Sequence, residues 1–357
     1  MKSIVHKLFH SFIGRLIIII ILSLSTAGIL IYFSCQQPVL ETLKEFSFRL
    51  VFIGILMMLS CWILDGIRLK NLARATNLKI KFLECIRIQL ITEFTTSLTP
   101  SGMGGGPVKI LLIQRQGASL GSSTTIFSVD KFVDFVFLLF IFPFFLYMIS
   151  LSHISLSSEI SLKSSIIFVT CIIILIAALV MVFYRYVKND NRTPDFMNPL
   201  LNYRIVKWFI PARFRVYILE QTSTFFKQIK EELLKLLYYK KTVLLMNFIL
   251  SAVKWNLRYG LLSFMLFYGF GQSTNYYVFF LLQGLIFFSS FFIMTPGGSG
   301  GVEMAYSILF APFLPVHLIG VSLLIWRFYT YYLNIIIGGL VVFFSMGKEG
   351  IKTLLDM

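Results

Sequence analysis

Charge is what this sequence has least of. Only 13 % of its 357 residues are Asp, Glu, Lys or Arg, while aliphatic, aromatic and sulfur residues make up 57 %. That is too little polar material to cover a soluble chain of this length. Cysteine and histidine are equally sparse, at four each. Cys35, Cys61, Cys85 and Cys171 have no metal-ligand spacing and no evident pairing, so neither a disulfide framework nor a metal site is expected. His6 and His10 belong to a basic N-terminal segment, His153 and His317 stand alone, and none has a sequence partner for acid-base or metal work. A P-loop, an Asp-x-Asp sugar-nucleotide motif and a nucleophile elbow are also lacking. No cofactor is expected, and the sequence argues against an enzyme.

What is present is hydrocarbon in long runs. Stretches near 12–34, 48–67, 124–149, 164–186, 243–270 and 316–346 are each long enough to cross a ~30 Å apolar layer at ~1.5 Å per residue. Alternating apolar patterning is absent, which points to helices and not a barrel. The first run follows Lys2, Lys7 and Arg15 but lacks a small-x-small cleavage site, and reads as a retained helix. The expected class is an all-α, polytopic integral membrane protein with about six long transmembrane helices.

The net charge of +16 is distributed unevenly. Residues 68–87 hold six basic and one acidic residue, Lys109 and Arg115 follow, and 185–241 holds twelve basic against five acidic. By the positive-inside rule these stretches, with both termini, are expected in the cytoplasm, and the neutral connections 35–49 and 150–163 outside. Cations that flank spans orient the chain and meet anionic headgroups, so no nucleic-acid partner is expected. The stretch 225–241, FFKQIKEELLKLLYYKK, spaces apolar and basic residues as an amphipathic helix does, lying either on the inner membrane surface or on other helices.

Two short stretches interrupt the apolar runs: TPSGMGG at 99–105 and TPGGSGG at 295–301, both T-P-x-G-x-G-G. Pro100 and Pro296 are 196 residues apart, and so are Lys131 and Arg327 in the runs that follow. The halves are therefore expected to be repeats, about 48–149 and 243–346, joined by a cytoplasmic connection of about 187–241 inside one membrane domain covering 1–357. Counting crossings brings the first loop element in from the cytoplasm and the second from outside, so the repeats are expected to be inverted. Each element is either a re-entrant hairpin or a pair of spans, and both return the chain to the side it left. Proline has no N–H and glycine tolerates positive φ, so each loop breaks its helix and opens main-chain polar groups where hydrocarbon cannot satisfy them. Such backbone persists inside protein or facing a polar cavity, as in carriers built from inverted repeats. Pro100, Gly102, Gly104, Gly105, Pro296, Gly298, Gly300 and Gly301 are accordingly candidate substrate-binding positions, with the amides that open the following helices as anion ligands. Close helix packing is the alternative use of the glycines. Thr95, Thr96, Ser97 and Ser299 are expected to satisfy broken backbone.

The charges expected at membrane depth are Glu93, Asp130, Lys131, Asp134, Lys254, Arg258, Glu303 and Arg327, with Asp65 set apart at a helix end. Facing lipid, each would cost several kcal/mol, so they are expected to turn inward and to neutralise one another or line water. Asp130 and Asp134 share a helix face, as do Lys254 and Arg258, and two stacked cations call for an anion between them. Tyr331 follows Arg327 by one turn. Lys131, Lys254, Arg258, Arg327 and Tyr331 are the candidate ligands of an anionic group, and Glu93, Asp130, Asp134 and Glu303 are ion-pair or coupling residues.

The glycine loops, the string Asp130-Lys131-x-x-Asp134, Glu303 after the second loop and the late Arg327 together resemble the lysylphosphatidylglycerol synthase transmembrane-region family, the flippase-like domain of multiple peptide resistance factor proteins. The resemblance covers essentially the whole chain. It implies a multi-pass inner-membrane protein that moves an anionic or aminoacylated lipid headgroup between leaflets. Its partners would be a membrane phospholipid or polyprenyl-phosphate lipid and envelope-lipid biosynthetic proteins. Two departures stand out: Gly105 is followed by Gly106-Pro107-Val108 where the family often has Gly-Gly-Asp, and the family's Glu-Arg pair stands here as Asp130-Lys131. The aminoacyl-transferring domain is absent from the sequence, so lysyl transfer is not expected. The competing readings are a lipid-modifying enzyme with Asp134 or Glu303 as base, and a scaffold for a biosynthetic complex.

Overall fold

A computed structural model describes residues 46–151 and 240–355, with a few helical positions between 228 and 236. The expected helices over 12–34 and 164–186, and nearly all of the amphipathic stretch 225–241, lie outside the described residues. Among those described, the secondary structure is helical: α1 Phe48–Ala75, α2 Phe82–Leu98, α3 Gly105–Gln114, α4 Leu120–Leu151, α5 Lys241–Phe270, α6 Tyr276–Ser290, α7 Gly301–Phe310, α8 Val316–Arg327 and α9 Leu333–Leu355. A π-helical turn, Phe328–Tyr332, joins the last two. Three segments are long and apolar enough to cross a membrane: Phe48–Ala75, Leu120–Ile149, and Val316–Ser345 counted through that turn. Helix α5 is also 30 residues long, but it carries Lys254 and Arg258 at mid-length.

The order long, short, short, long occurs twice. Helices α3 and α7 start 196 positions apart and end 196 apart, and α4 and α8 start with the same offset. The loops share their turn as well. Gly102 N donates to Thr99 O at 3.1 Å and Met103 N to Pro100 O at 3.1 Å. At the matching places Gly298 N donates to Thr295 O at 3.0 Å and Ser299 N to Pro296 O at 3.2 Å. Positive φ falls at Ser101 (53°) and Gly102 (68°), and again at Gly297 (61°) and Gly298 (68°). Proline second and a left-handed residue third is the pattern of a type II turn. Helices α3 and α7, at ten residues each, reach only ~15 Å, about half the hydrocarbon thickness. The descending arm of each loop element is thus too short to be a span.

The described residues form two compact units. The first holds α1 as far as Ile67, Phe82–Lys109, and everything from Ala252 onward; the second holds Arg68–Lys81 and Ile110–Ser251. In the first unit α9 packs along α2, and Met58, Trp62, Leu261, Met265, Val321, Ile325, Tyr329 and Leu333 form the apolar core. Helix α2 has no exposed residue after Leu83, so it runs through the interior of this unit. The π turn widens the backbone just after Arg327. Side chains cover the carbonyls around it: Thr330 Oγ1 donates to Trp326 O (2.7 Å) and Asn334 Nδ2 to Thr330 O (2.8 Å).

Candidate functional site

The two glycine loops meet in the first unit, where Pro100 and Pro296 lie opposite each other as an isolated antiparallel bridge. Ser101 Oγ ties the tips further by donating to Ile293 O at 3.1 Å. The loops are less open than the proline and glycine content suggests. Besides the turn bonds, Gly104 N donates to Thr99 Oγ1 (2.9 Å) and Thr295 Oγ1 to Ser299 O (2.8 Å). Of the hydroxyls expected to satisfy broken backbone, Ser299 does so by donating to Pro296 O, whereas Thr95, Thr96 and Ser97 each return to the carbonyl four residues back within intact α2. At Gly105 there is no room for a side chain, since a Cβ would stand 1.9 Å from Thr96 Oγ1.

The second loop is gripped by charge. Glu303, two residues into α7, accepts from Gly300 N at 2.7 Å, which places a carboxylate of the protein on the helix N-terminus expected to await an anion. Its other oxygen pairs with Arg327 Nη2 at 2.9 Å, and Arg327 Nη1 donates to Gly297 O at 3.1 Å. Glu303 is fully buried and Arg327 is 4 % exposed. Tyr331 lies against Gly297 and under the guanidinium of Arg327, whose carbon is 5.1 Å from the ring centre. Trp326, beside Arg327, donates from its indole to Gln283, which is anchored on the carbonyls of Tyr259 and Phe279. The corresponding site on the first loop has Pro107 where the second has Glu303.

The anions called for by the stacked cations of α5 are Asp65 and Glu93. Lys254 Nζ pairs with Asp65 Oδ1 at 3.2 Å, and Arg258 Nη2 with Glu93 Oε2 at 3.6 Å. Both cations lie over the ring of Trp255, at 4.8 and 6.0 Å. Gln89 links the group: its amide nitrogen donates to Asp65 Oδ2 (3.4 Å) and Glu93 Oε1 (3.3 Å), and its oxygen accepts from Lys109 Nζ (3.1 Å). Lys109 is 1 % exposed, so it serves this network from the interior and not as a solvated flank. Asp65, Gln89 and Lys109 join the site without having been singled out as its members by charge or motif. The signal for two of them was helical spacing, because Asp65 heads a run in which Arg68, Leu69, Leu72 and Ala73 are all buried, and Gln89 precedes Glu93 by one turn.

The second unit contains a separate cluster. Asp130 and Asp134 do share a face, and between them lies Arg68, fully buried, with Nη2 2.8 Å from Asp130 Oδ1 and Nη1 2.9 Å from Asp134 Oδ1. Ser251 donates to Asp134 at 2.5 Å, and Asn247 donates to Arg68 O at 3.3 Å. Arg68, one of the cations of 68–87, is thus a buried structural charge and not a solvated one. Lys131, expected to turn inward, is exposed. Lys131 and Arg327 keep their repeat register yet occupy opposite environments, one exposed and the other in the buried grip on the second loop. Both carboxylates considered as a base are engaged, Glu303 by Gly300 and Arg327, Asp134 by Arg68 and Ser251.

The model of the family described as "Lysylphosphatidylglycerol synthase TM region" matches residues 16–338. The chain belongs to that family. A "UPF0104 membrane protein" of Archaeoglobus fulgidus is 26 % identical over 333 residues, covering 92 % of this chain and 97 % of that one. With the apolar helices, these matches make the chain a multi-pass membrane protein of a family named for a membrane-lipid synthase's transmembrane region.

Proposed function

We infer that the protein translocates a lipid headgroup between leaflets by alternating access, with two inverted repeats rocking about the joined glycine loops. The observation that carries this reading is the partial exposure of one ion pair on an interior helix. Glu93 and Arg258 are 16 % and 19 % exposed although α2 presents no exposed residue after Leu83. Partial exposure of a charged pair beside otherwise closed ones is what a wet cavity at membrane depth would produce. In this reading Arg258 supplies the cation that meets an anionic or aminoacylated headgroup, and Lys254 and Lys109, held by Asp65 and Gln89, add positive charge behind it. The short helices α2–α3 and α6–α7 are re-entrant hairpins whose tips meet at Pro100 and Pro296. Arg327 and Tyr331 hold the second hairpin in position. The protein resides in the cell's inner membrane with cytoplasmic termini, and the lipid is a phospholipid or polyprenyl phosphate.

Reconstitution into liposomes with labelled phospholipids or polyprenyl phosphates tests this. Transbilayer movement is expected to fall at least tenfold in Arg258→Ala and Arg327→Ala and to persist in Lys131→Ala, whose side chain is exposed. Undiminished movement in both arginine variants would defeat the assignment.

A further inference from the structure

The ion pairs of the first unit are not equivalent. Asp65–Lys254 and Glu303–Arg327 are short and almost fully buried, at 3.2 and 2.9 Å with every side chain at 6 % exposure or less. Glu93–Arg258 is longer, at 3.6 Å, and partly open. At that separation it is a charge contact beyond the 2.7–3.2 Å of an N–H···O bond, so the guanidinium's fork of donors is only loosely taken up. Glu93 in turn does not depend on Arg258 alone. Its Oε1 accepts from Gln89, itself tied to Asp65 and to Lys109. Arg258 is also steadied independently, by the face of Trp255 and the neighbouring turns of α5.

A pair in which each partner is held by something else, and which is partly exposed, is built to part. We propose that Glu93 is a resident counter-ion that an incoming phosphate displaces from Arg258: phosphate oxygens take the guanidinium in two-point contact, and Glu93 stays on Gln89. The inference rests on the anion-binding reading above and deepens it, assigning the ligand as a phosphate monoester or diester and Glu93 as its competitor. A carboxylate making one long contact is a weak rival for a bidentate phosphate, so the site empties and fills without ever leaving Arg258 bare.

The test is a binding titration of detergent-solubilised full-length protein with dihexanoyl phosphatidylglycerol, and separately with inorganic phosphate. Removing the competitor's charge in Glu93→Gln is expected to tighten binding about tenfold, with Glu93→Ala doing the same should the first variant fold poorly. Arg258→Gln is expected to abolish binding. The double variant Glu93→Gln/Arg258→Gln is expected to remain without binding, whereas a pair that only holds helices together would regain it once both charges are gone. Tightening with inorganic phosphate as well as lipid means that the anion alone is read; tightening with lipid only means that the acyl chains are read too, and both outcomes support the exchange. Binding that is unchanged or weaker in both Glu93 variants, while wild type still binds through Arg258, overturns the exchange and leaves the headgroup reading standing. Absence of binding in wild type and Glu93 variants alike overturns both.

Discussion

Substituting Arg68 with methionine should be among the most damaging single changes in the second unit. The side chain is fully buried and touches two carboxylates, each within 2.9 Å and each at most 7 % exposed. Methionine keeps much of the aliphatic stem and volume, so the loss is mainly electrostatic. Breaking a buried pair by removing one partner costs ~3–5 kcal/mol, because the remaining charge loses its compensation without regaining water. Against a net stability of ~5–15 kcal/mol for a folded domain, that fraction should be visible in any unfolding measurement. The same reasoning states its own rescue. With Asp130→Asn and Asp134→Asn added, the stranded anions disappear while the shape is kept, and replacing a whole buried charge group by neutral residues is often near-neutral. The triple variant should therefore recover at least ~2 kcal/mol of the loss, about a thirtyfold change in the folded ratio. The assay is reversible unfolding by sodium dodecyl sulfate in mixed micelles, followed by helical circular dichroism. A single variant as stable as wild type, or a triple variant no better than the single, would refute the view that this cluster is held by charge compensation.

Two further outcomes follow from the first unit. Gly297 has φ 61°, and a Cβ there would lie 2.1 Å from the Tyr331 ring; Gly297→Ala should cost ~2–4 kcal/mol from left-handed strain plus overpacking. Adding Tyr331→Leu should return part of that cost, and strict additivity in a double-mutant cycle by the same unfolding assay would count against the packing. Gln89→Leu removes the amide that joins Lys109 to Asp65 and Glu93, and leaving a buried ammonium without that acceptor should cost ~1–3 kcal/mol. Adding Lys109→Met, which removes the stranded ammonium, should return part of that cost when compared by thermal melting, and no recovery would remove Gln89 from the centre of the network.

The helices were legible because their signals are collective. Runs of twenty apolar residues survive any single substitution, and the paired T-P-x-G-x-G-G loops gave a register that the backbone follows through α3, α4, α7 and α8. The charges were legible only in part, because a lone cation near the end of an apolar run has two possible fates. Arg68, followed by Lys70 and Arg74, reads as the start of a cytoplasmic fringe; α1 instead continues to Ala75, and its periodicity turns Arg68, Leu69, Leu72 and Ala73 inward. Lys109 was hidden for the same reason. Gln89 carries no charge, so a search for intramembrane ions passes over it although it makes three polar contacts. The π turn at Phe328–Tyr332 has no compositional mark at all, being a property of how Arg327, Tyr329 and Tyr331 are placed by their neighbours.

The repeats share a backbone but have divided the charge between them. At the repeat offset Asp65, Gln89, Glu93 and Lys109 correspond to Leu261, Leu285, Ser289 and Ala305, while Lys254 and Arg258 correspond to Met58 and Trp62. Had both halves kept the same ionisable residues, related positions would bring like charges toward one interior, where low dielectric makes repulsion expensive. Dividing them converts that repulsion into attraction: the first repeat supplies Asp65 and Glu93, the second supplies Lys254 and Arg258, and both ion pairs cross from one repeat to the other. Glu303–Arg327, by contrast, lies wholly within the second repeat and fixes its loop internally. Rocking of one repeat against the other would leave this internal grip intact and load the two crossing pairs. Asp65–Lys254, short and buried, would lose its compensation inside the protein on separation and, on the proposed motion, would be the pivot. Glu93–Arg258, already long and partly exposed, is the crossing pair whose opening would cost least, and on the proposed motion the moving edge of the joint falls where a phosphate is proposed to enter.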